Sequence, residues 1–161
     1  METHSIRLRG PWLLTPLAQP WELSASQGNE RAGGLSAPVI QRLPADWRDV
    51  LGAGFLGTVA YERSFGLPSN LAPGDQVRLV YDFAPGQSAE VLRLRCWLNG
   101  DLLADEQRGT GYVWQVAGKL ISRNHLRLEV TQTPVPKDAQ AIEEARGLTG
   151  VVRLEICPAG A

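Results

Sequence analysis

The stretch QVRLVYDF at positions 76–83 decides the fold class, because apolar and polar side chains alternate along it. In an extended chain every second side chain lies on the same face. The alternate residues from Val77 to Phe83 therefore share one face, and Arg78 and Asp82 lie on the other. A strand of a parallel sheet is covered on both faces and reads instead as a continuous apolar run. The alternation predicts a strand of an antiparallel sheet with one face in solvent.

Three other segments repeat this two-residue period. Residues 90–99, 126–130 and 152–156 place leucine, valine, isoleucine and cysteine on one face and mostly charged side chains on the other. Further strands are predicted at residues 6–12, 38–43 and 56–65, and a shorter one at residues 112–116. About eight short strands in one chain are typical of a β-sandwich or jelly roll rather than of a closed barrel.

The pair Asn99-Gly100 predicts a tight turn. Both residue types tolerate the positive φ that the two central positions of a type I′ turn require. We therefore expect a hairpin between residues 93–98 and 101–104, and we assign Asn99 and Gly100 a structural role.

Two stretches break the β pattern and predict short helical inserts. Residues 44–51 begin with a proline, which suits a helix start, and precede Gly52, which suits a left-handed stop. Residues 138–146 begin with aspartate, a capping residue, and precede Gly147. The predicted fold class is therefore all-β, an antiparallel β-sandwich of jelly-roll type with two short helical inserts.

Length and composition limit the class of protein. The chain has 161 residues and a mass of 17.5 kDa, which predicts a single domain over residues 1–161. Lysine and arginine together number 16, and aspartate and glutamate number 17, so the formal net charge is -1. Nothing in this balance indicates a nucleic-acid partner.

The N-terminus and the cysteines bear on localisation. Residues 1–5 lack the basic and apolar regions of a secretory signal, and no run of about 18 apolar residues predicts a membrane span. Cys96 and Cys157 fall on opposite strand faces, which argues against a disulfide between them. We expect a cytoplasmic protein with free thiols and without a membrane partner.

A set of short segments follows in a definite order along the chain. The set comprises LPADW at 43–47, GTVAYERSF at 57–65, VRLVYDF at 77–83, LNG at 98–100, WQV at 114–116, NHL at 124–126 and GLTGVVRLE at 147–155. This order resembles the N-terminal sugar-binding domain of family 2 glycoside hydrolases, which has a galactose-binding-like jelly-roll fold. The resemblance covers most of the chain.

The resemblance implies a β-sandwich fold and recognition of glycans. Hydrolysis in those enzymes belongs to a separate barrel domain that carries two carboxylates, so the resemblance does not imply hydrolysis by this chain. The sequence also departs from the family pattern, since Gln115 stands where an aspartate is usual and Ala117 stands where a threonine is usual.

Arg63 is a charged residue on a strand face that Val59, Tyr61 and Phe65 mark as inward. A buried guanidinium requires a carboxylate or several carbonyl groups as partners. We therefore expect Arg63 to fasten a loop or a helix end to the sheet, and ligand binding is the alternative.

Aromatic residues are the candidates for binding a sugar, because the flat apolar faces of sugars stack on exposed rings. Trp12 and Trp47 are expected in the core, where most tryptophans lie. Trp21 lies in a long turn-rich segment, and Tyr112 and Trp114 follow a glycine-containing loop. These last three are our loop-borne ligand candidates, with core packing as the alternative.

Trp97 is the fourth ligand candidate. Its position places it on the outer strand face with Arg93 and Arg95, where an arginine can stack on its ring. Either the segment at residues 15–34 folds over Trp97, or Trp97 belongs to an exposed interaction surface.

Catalytic and metal-binding patterns are weak. Residues 143 and 144, both glutamates, lie about 100° apart on the predicted helix and cannot share a proton. Asp101, Asp105 and Glu106 cluster after the hairpin turn, where a structural calcium ion could bind. Without EF-hand spacing, a solvated loop is the preferred interpretation. We predict no catalytic residue, no metal ligand and no cofactor.

Three functions stay open at this stage. The first is non-catalytic binding of carbohydrate through loops at one end of the sandwich. The second is a protein-interaction or assembly module, in which Trp97, Arg93 and Arg95 meet a partner or a second copy of the chain. The third is a small glycoside hydrolase, for which the sequence shows no acid and base pair.

Overall fold

The computed structural model describes residues 2–18, 38–52, 55, 57–69, 71–132 and 146–159. Trp21, the glutamates at 143 and 144 and residues 138–145 of the second predicted helix lie outside the described residues. Within the described residues the chain forms eleven strands and one helical turn.

The strands form two antiparallel sheets, one of five strands and one of six. They are β1 (His4–Arg7), β2 (Trp12–Ala18), β3 (Val39–Gln41), β4 (Gly57–Gly66), β5 (Gln76–Asp82), β6 (Leu92–Leu98), β7 (Asp101–Leu103), β8 (Asp105–Arg108), β9 (Gly111–Gln115), β10 (Arg123–Gln132) and β11 (Val151–Cys157). The five-stranded sheet has the order β1-β11-β5-β9-β8, and the six-stranded sheet has the order β3-β2-β4-β10-β6-β7. The predicted antiparallel β-sandwich is therefore confirmed.

The hydrophobic core lies between the inner faces of the two sheets. β6 buries its three leucines and Cys96 and exposes the arginines between them, and β10 and β11 follow the same alternation. Burying a large aliphatic side chain stabilises the fold by about 1.5–3 kcal/mol. Trp12 and Trp47 are fully buried, as expected.

β6 and β7 form the predicted hairpin. Asn99 has a φ of 54° and Gly100 a φ of 91°, so both central residues of the turn are left-handed. Because β7 is short, it pairs only with residues 96–98, and residues 92–95 of β6 have no neighbour on that side. After β7 the chain crosses to β8 at the edge of the other sheet.

The helix predicted at residues 44–51 is shorter than expected, because only α1 (Arg48–Leu51) is helical. The N–H group of Trp47 donates to the carbonyl of Arg146 at 3.0 Å, so the preceding residues are bonded to the segment that leads into β11. Gly52 follows the helix with a φ of 101°, in the conformation expected of a stop.

Both cysteines are free thiols, which agrees with the prediction. Cys96 is buried, and Cys157 is partly exposed and accepts a hydrogen bond from Arg78 at 3.0 Å. Across the described ranges, no helix has the length and apolar character needed to span a lipid bilayer.

Candidate functional site

One end of the sandwich is filled by the segment at residues 146–150. The hydroxyl of Tyr81 accepts a hydrogen bond from the Gly150 N–H at 2.8 Å. The side chain of Gln132 accepts another from the Gly147 N–H at 2.8 Å. These buried bonds anchor the segment over the core.

The opposite end is closed by Asn124, which is fully buried. Its amide donates to the carbonyl of Ile121 at 2.9 Å, and its side-chain oxygen accepts from the Ile121 N–H at 2.9 Å. It also accepts from the Asn99 side chain at 3.1 Å, which joins the β6–β7 turn to β10. The Asn99 side-chain oxygen also accepts from the His125 N–H at 2.8 Å, so Asn99 bonds to β10 at two points.

Tyr112 and Trp114 are not loop-borne, which corrects the sequence-based expectation. They lie in β9, and pairing with β5 places both on the inner face, where each is 1% exposed. Their rings stack with centroids 5.8 Å apart, and the Tyr112 hydroxyl donates to the Leu92 carbonyl at 2.8 Å. Neither ring has a free face on which a sugar could stack.

Trp97 lies on the outer face of the six-stranded sheet, as its position in the sequence predicted. The guanidinium groups of Arg95 and Arg127 lie 5.7 and 6.0 Å from the centre of its ring. Contacts of this kind contribute about 0.5–1 kcal/mol each at exposed sites. The arginines hold the ring in place and put positive charge beside it.

A cleft of about 430 Å³ opens beside Trp97, at the side of the sandwich rather than at its end. It forms where β7 stops short and leaves residues 92–95 of β6 without a neighbour. The crossing to β8 then supplies the opposite wall. The lining residues are Arg93, Leu94, Arg95, Asp105, Gln107, Tyr112, Glu129 and Thr131.

Several hydrogen-bonding groups that line the cleft are not paired with one another. Arg93 and Arg95 are exposed, and neither makes an ion pair within the part of the chain that the structure describes. Glu129, by contrast, binds Arg127 at 2.8 Å. Asp105 and Gln107 face the arginines across the opening. The cleft therefore combines cationic donors with carboxylate and amide acceptors.

Arg63 is half-buried and has different partners from those expected. Its guanidinium lies 5.8 Å from the centre of the Trp12 ring, and its Nε donates to the Ser64 carbonyl at 3.2 Å. Burial lowers the pKa of Arg63, and the nearby Arg123 adds to the effect. Among the described residues, Arg63 contacts a core tryptophan and a carbonyl of its own strand.

The outer face of the five-stranded sheet carries a charge network. Arg153 binds Asp82 at 2.7 Å and Glu155 at 2.8 Å, and Arg78 binds Glu155 at 2.8 Å. The hydrogen bond from Arg153 holds the pKa of Glu155 below its usual value, and the bond to Asp82 raises the pKa of Arg153. These four groups pair with one another, which indicates a structural role, although the buried Nε of Arg78 has no hydrogen-bond partner among the described residues.

The acidic residues proposed for calcium do not gather into a site. Among the described residues, no three His, Cys, Asp or Glu side chains converge as metal ligands would. Glu106 pairs with Arg108 at 3.2 Å, and Asp101 and Asp105 are exposed. All three acidic residues lie in strands, Asp101 in β7 and Asp105 and Glu106 in β8, and not in the solvated loop that the sequence predicted.

Sequence reasoning missed Asp105, Gln107 and Thr131 as members of the cleft. Its placement of Arg93 and Arg95 on an outer face was correct. The other residues of the cleft come together because the chain crosses to the other sheet after β7. The two-residue period of the sequence does not predict where that crossing occurs.

Comparison with known proteins gives similarity in structure alone. No family model and no curated protein matches the sequence. A β-glucuronidase from Bifidobacterium dentium, complexed with coumarin-3-O-glucuronide, has a TM-score of 0.64 over 98% of this chain at 22% identity. An FMN-binding β-glucuronidase from Faecalibacterium prausnitzii gives 0.65 over 97% at 19% identity. A rhamnosidase from Novosphingobium sp. PP1Y gives 0.64 over 97% at 16% identity.

This chain spans 30%, 23% and 15% of those three proteins, so the similarity concerns only a part of each. At such low sequence identity the similarity shows a shared fold, which is the β-sandwich described above.

Proposed function

We propose that this chain is a non-catalytic carbohydrate-binding module whose site is the cleft beside Trp97. The observation that carries the proposal is the cleft itself, about 430 Å³ in volume and lined by two carboxylates, an amide and two arginines that make no ion pair among the described residues. Sites for small ligands commonly have volumes of about 300–1,000 Å³. A mono- or disaccharide fits this range.

The chemistry of the lining suits sugar hydroxyl groups. The guanidinium groups of Arg93 and Arg95 donate in a planar fork to vicinal oxygens. Asp105 accepts from hydroxyl groups, and Gln107 both donates and accepts. Trp97 does not line the cleft but adjoins it through Arg95, whose guanidinium lies 5.7 Å from the centre of the Trp97 ring. The proposed site therefore lies at the side of the sandwich, whereas the sequence predicted a site in the loops at one end.

The comparisons support a carbohydrate-related role, because the similar structures named above are glycosidases of which this fold forms a part. That the chain is not catalytic is also our proposal, and it rests on the carboxylates of the cleft and not on the comparisons. Of the two carboxylates that line the cleft, Glu129 is engaged by Arg127. A general acid and base pair needs both groups available to the substrate.

Isothermal titration calorimetry of the purified chain against a panel of neutral and acidic mono- and disaccharides tests the proposal. We expect saturable binding that Arg93→Ala and Gln107→Ala each weaken by roughly tenfold or more. Arg9→Ala removes an exposed arginine outside the cleft and is the matched control, expected to bind normally. Binding that is equally strong in all three variants would contradict the site.

A second arm tests the non-catalytic part of the proposal. The chain is incubated with a panel of aryl glycosides, and we expect no turnover. Turnover that Asp105→Asn or Glu129→Gln abolishes would show instead that the cleft is an active site.

A protein-interaction module is the second candidate function. The observation that favours it is the set of exposed apolar side chains on the sheet face that carries Trp97, namely Leu13, Ile40 and Leu102. Light scattering of the purified chain alone and affinity capture with a Leu102→Glu control test this candidate.

A further inference from the structure

The outer face of the six-stranded sheet carries one row of side chains that crosses all six strands. The strand pairings place one residue from each strand side by side in this row. From β3 to β7 the row reads Ile40, Leu13, Glu62, Arg127, Trp97, Leu102. We call it the central row.

Three apolar members of the central row are exposed to solvent, and the fourth, Trp97, is partly covered by Arg95 and Arg127. Ile40 is 60% exposed, Leu102 is 56% exposed and Leu13 is 36% exposed. Exposed apolar side chains that share one face are typical of interaction surfaces. Here they form two separate pairs, one at each end of the row, with a charged pair between them.

The central row has the same pattern from either end, except that the charges at its middle have opposite sign. It reads apolar, apolar, acidic, basic, apolar, apolar. A surface with this pattern is complementary to itself when it is reversed, which is what an isologous two-fold interface requires.

We propose that a second copy of this chain packs on the central row, with the two-fold axis parallel to the strands and between β4 and β10. Rotation about this axis puts Ile40 opposite Leu102 of the second copy and Leu13 opposite its Trp97. Glu62 binds Arg127 at 3.2 Å and His125 at 2.9 Å within its own chain. The rotation places this Glu62 opposite Arg127 of the second copy, so charges of opposite sign face each other across the interface. The strands of the two facing sheets run nearly parallel, as in aligned sheet packing.

The charges favour this axis over the other two-fold axis that lies in the plane of the interface. An axis along the row would put Glu62 opposite itself and Arg127 opposite itself, and facing like charges cost several kcal/mol at an interface. The row that follows along the strands agrees with the chosen axis. It reads Thr15, Ala60, Glu129, Arg95. The two-fold rotation places Arg95 opposite Thr15 of the second copy and Glu129 opposite Ala60 of the second copy, so no like charges face each other.

The size of the face is adequate for a dimer. Six strands spaced about 4.8 Å apart and on average about 23 Å long cover on the order of 700 Å² per copy. Stable interfaces bury about 800 Å² per partner. Arg95 and Glu129 belong both to this face and to the lining of the cleft, so the tests of the dimer are made without sugar.

Sedimentation equilibrium of the full chain provides the first test. We expect a reversible dimer, and Leu102→Glu should weaken its association by roughly a hundredfold, because it places a charge against an apolar neighbour. Ile121→Glu is the matched control, since Ile121 is 55% exposed and lies outside the central row, and it should leave association unchanged. A chain that stays monomeric at every concentration overturns the proposal, and so does equal weakening by both variants.

Cysteine cross-linking tests the direction of the axis. Ile40→Cys and Leu102→Cys are made separately with Cys157→Ser in both, so that Cys157, the partly exposed thiol, is removed. Under mild oxidation we expect covalent dimers when the two variants are mixed, and none from either variant alone. Dimers from Ile40→Cys alone, or no dimers from the mixture, would contradict the proposed axis. Both tests use no sugar, so their failure leaves the carbohydrate proposal standing.

Discussion

Raising the pH above 10 should unfold this protein, because all three of its tyrosines are buried. Burial raises the pKa of Tyr81 to about 12, and it also raises the pKa values of Tyr61 and Tyr112. In the unfolded chain each phenol has a pKa of about 10. The folded state therefore keeps protons that the unfolded state releases in this range of pH.

The sign and size of the effect follow from this difference. The stability that depends on neutral tyrosines is fully present below pH 10 and decreases as the pH rises toward the folded-state values. Each tyrosine that stays protonated in the folded state lowers the free energy of unfolding by about 1.4 kcal/mol per pH unit above 10, so the three together lower it by at most about 4 kcal/mol per unit. Tyr81, whose folded-state pKa is about 12, stops contributing near that pH. A domain of this size is stable by about 5–15 kcal/mol, so unfolding should require at least about one unit above pH 10.

Two signals recorded on one pH titration provide the assay. Tyrosinate absorbance reports ionisation, and circular dichroism reports the sheet. We expect no tyrosinate absorbance in the folded protein near pH 10, and its appearance should coincide with the loss of the sheet signal. Tyrosinate that forms with a midpoint near 10 while the sheet signal persists would refute the buried placement of these rings.

Three further predictions concern stability. Gly150→Ala should lower the free energy of unfolding by roughly 3 kcal/mol, since the added Cβ would overlap a carbonyl oxygen of the facing strand. Gly109→Ala, where a Cβ meets nothing, is its control in urea unfolding, and equal effects would contradict the packing at Gly150. Asn124→Ala should cost about 2–3 kcal/mol by leaving backbone groups unpaired in the core, and a loss under about 0.5 kcal/mol would count against that role. Arg153 holds the pKa of Glu155 low, so stability should fall as the pH drops through that lowered value. Glu155→Gln should flatten this acid limb, and an unchanged limb would contradict the pairing.

Much of the fold was predictable because a half-buried strand has a two-residue period. The burial of Cys96 and the exposure of Arg93 and Arg95 follow from that period alone. The turn at Asn99-Gly100 was predictable for a different reason, since few residue pairs adopt left-handed φ twice in succession. Both features depend on residues that are neighbours in sequence.

The site was much less predictable, because it depends on which strands become neighbours. Tyr112 and Trp114 follow a loop in sequence, but β9 begins at Gly111, directly after it. A Cβ at this glycine would overlap the Tyr81 carbonyl, so its absence lets β9 pair closely with β5 and turns both rings inward. The cleft itself arises from the short length of β7, which no local pattern encodes.

The central claim is that the cleft beside Trp97 binds carbohydrate, and an amide-resolved NMR titration with the saccharide panel tests it most directly. We predict saturable shifts concentrated at the cleft residues Arg93, Arg95, Gln107 and Thr131, with the filled end at residues 146–150 unaffected. The absence of saturable shifts with every saccharide in the panel, or shifts confined to residues 146–150, would contradict the claim.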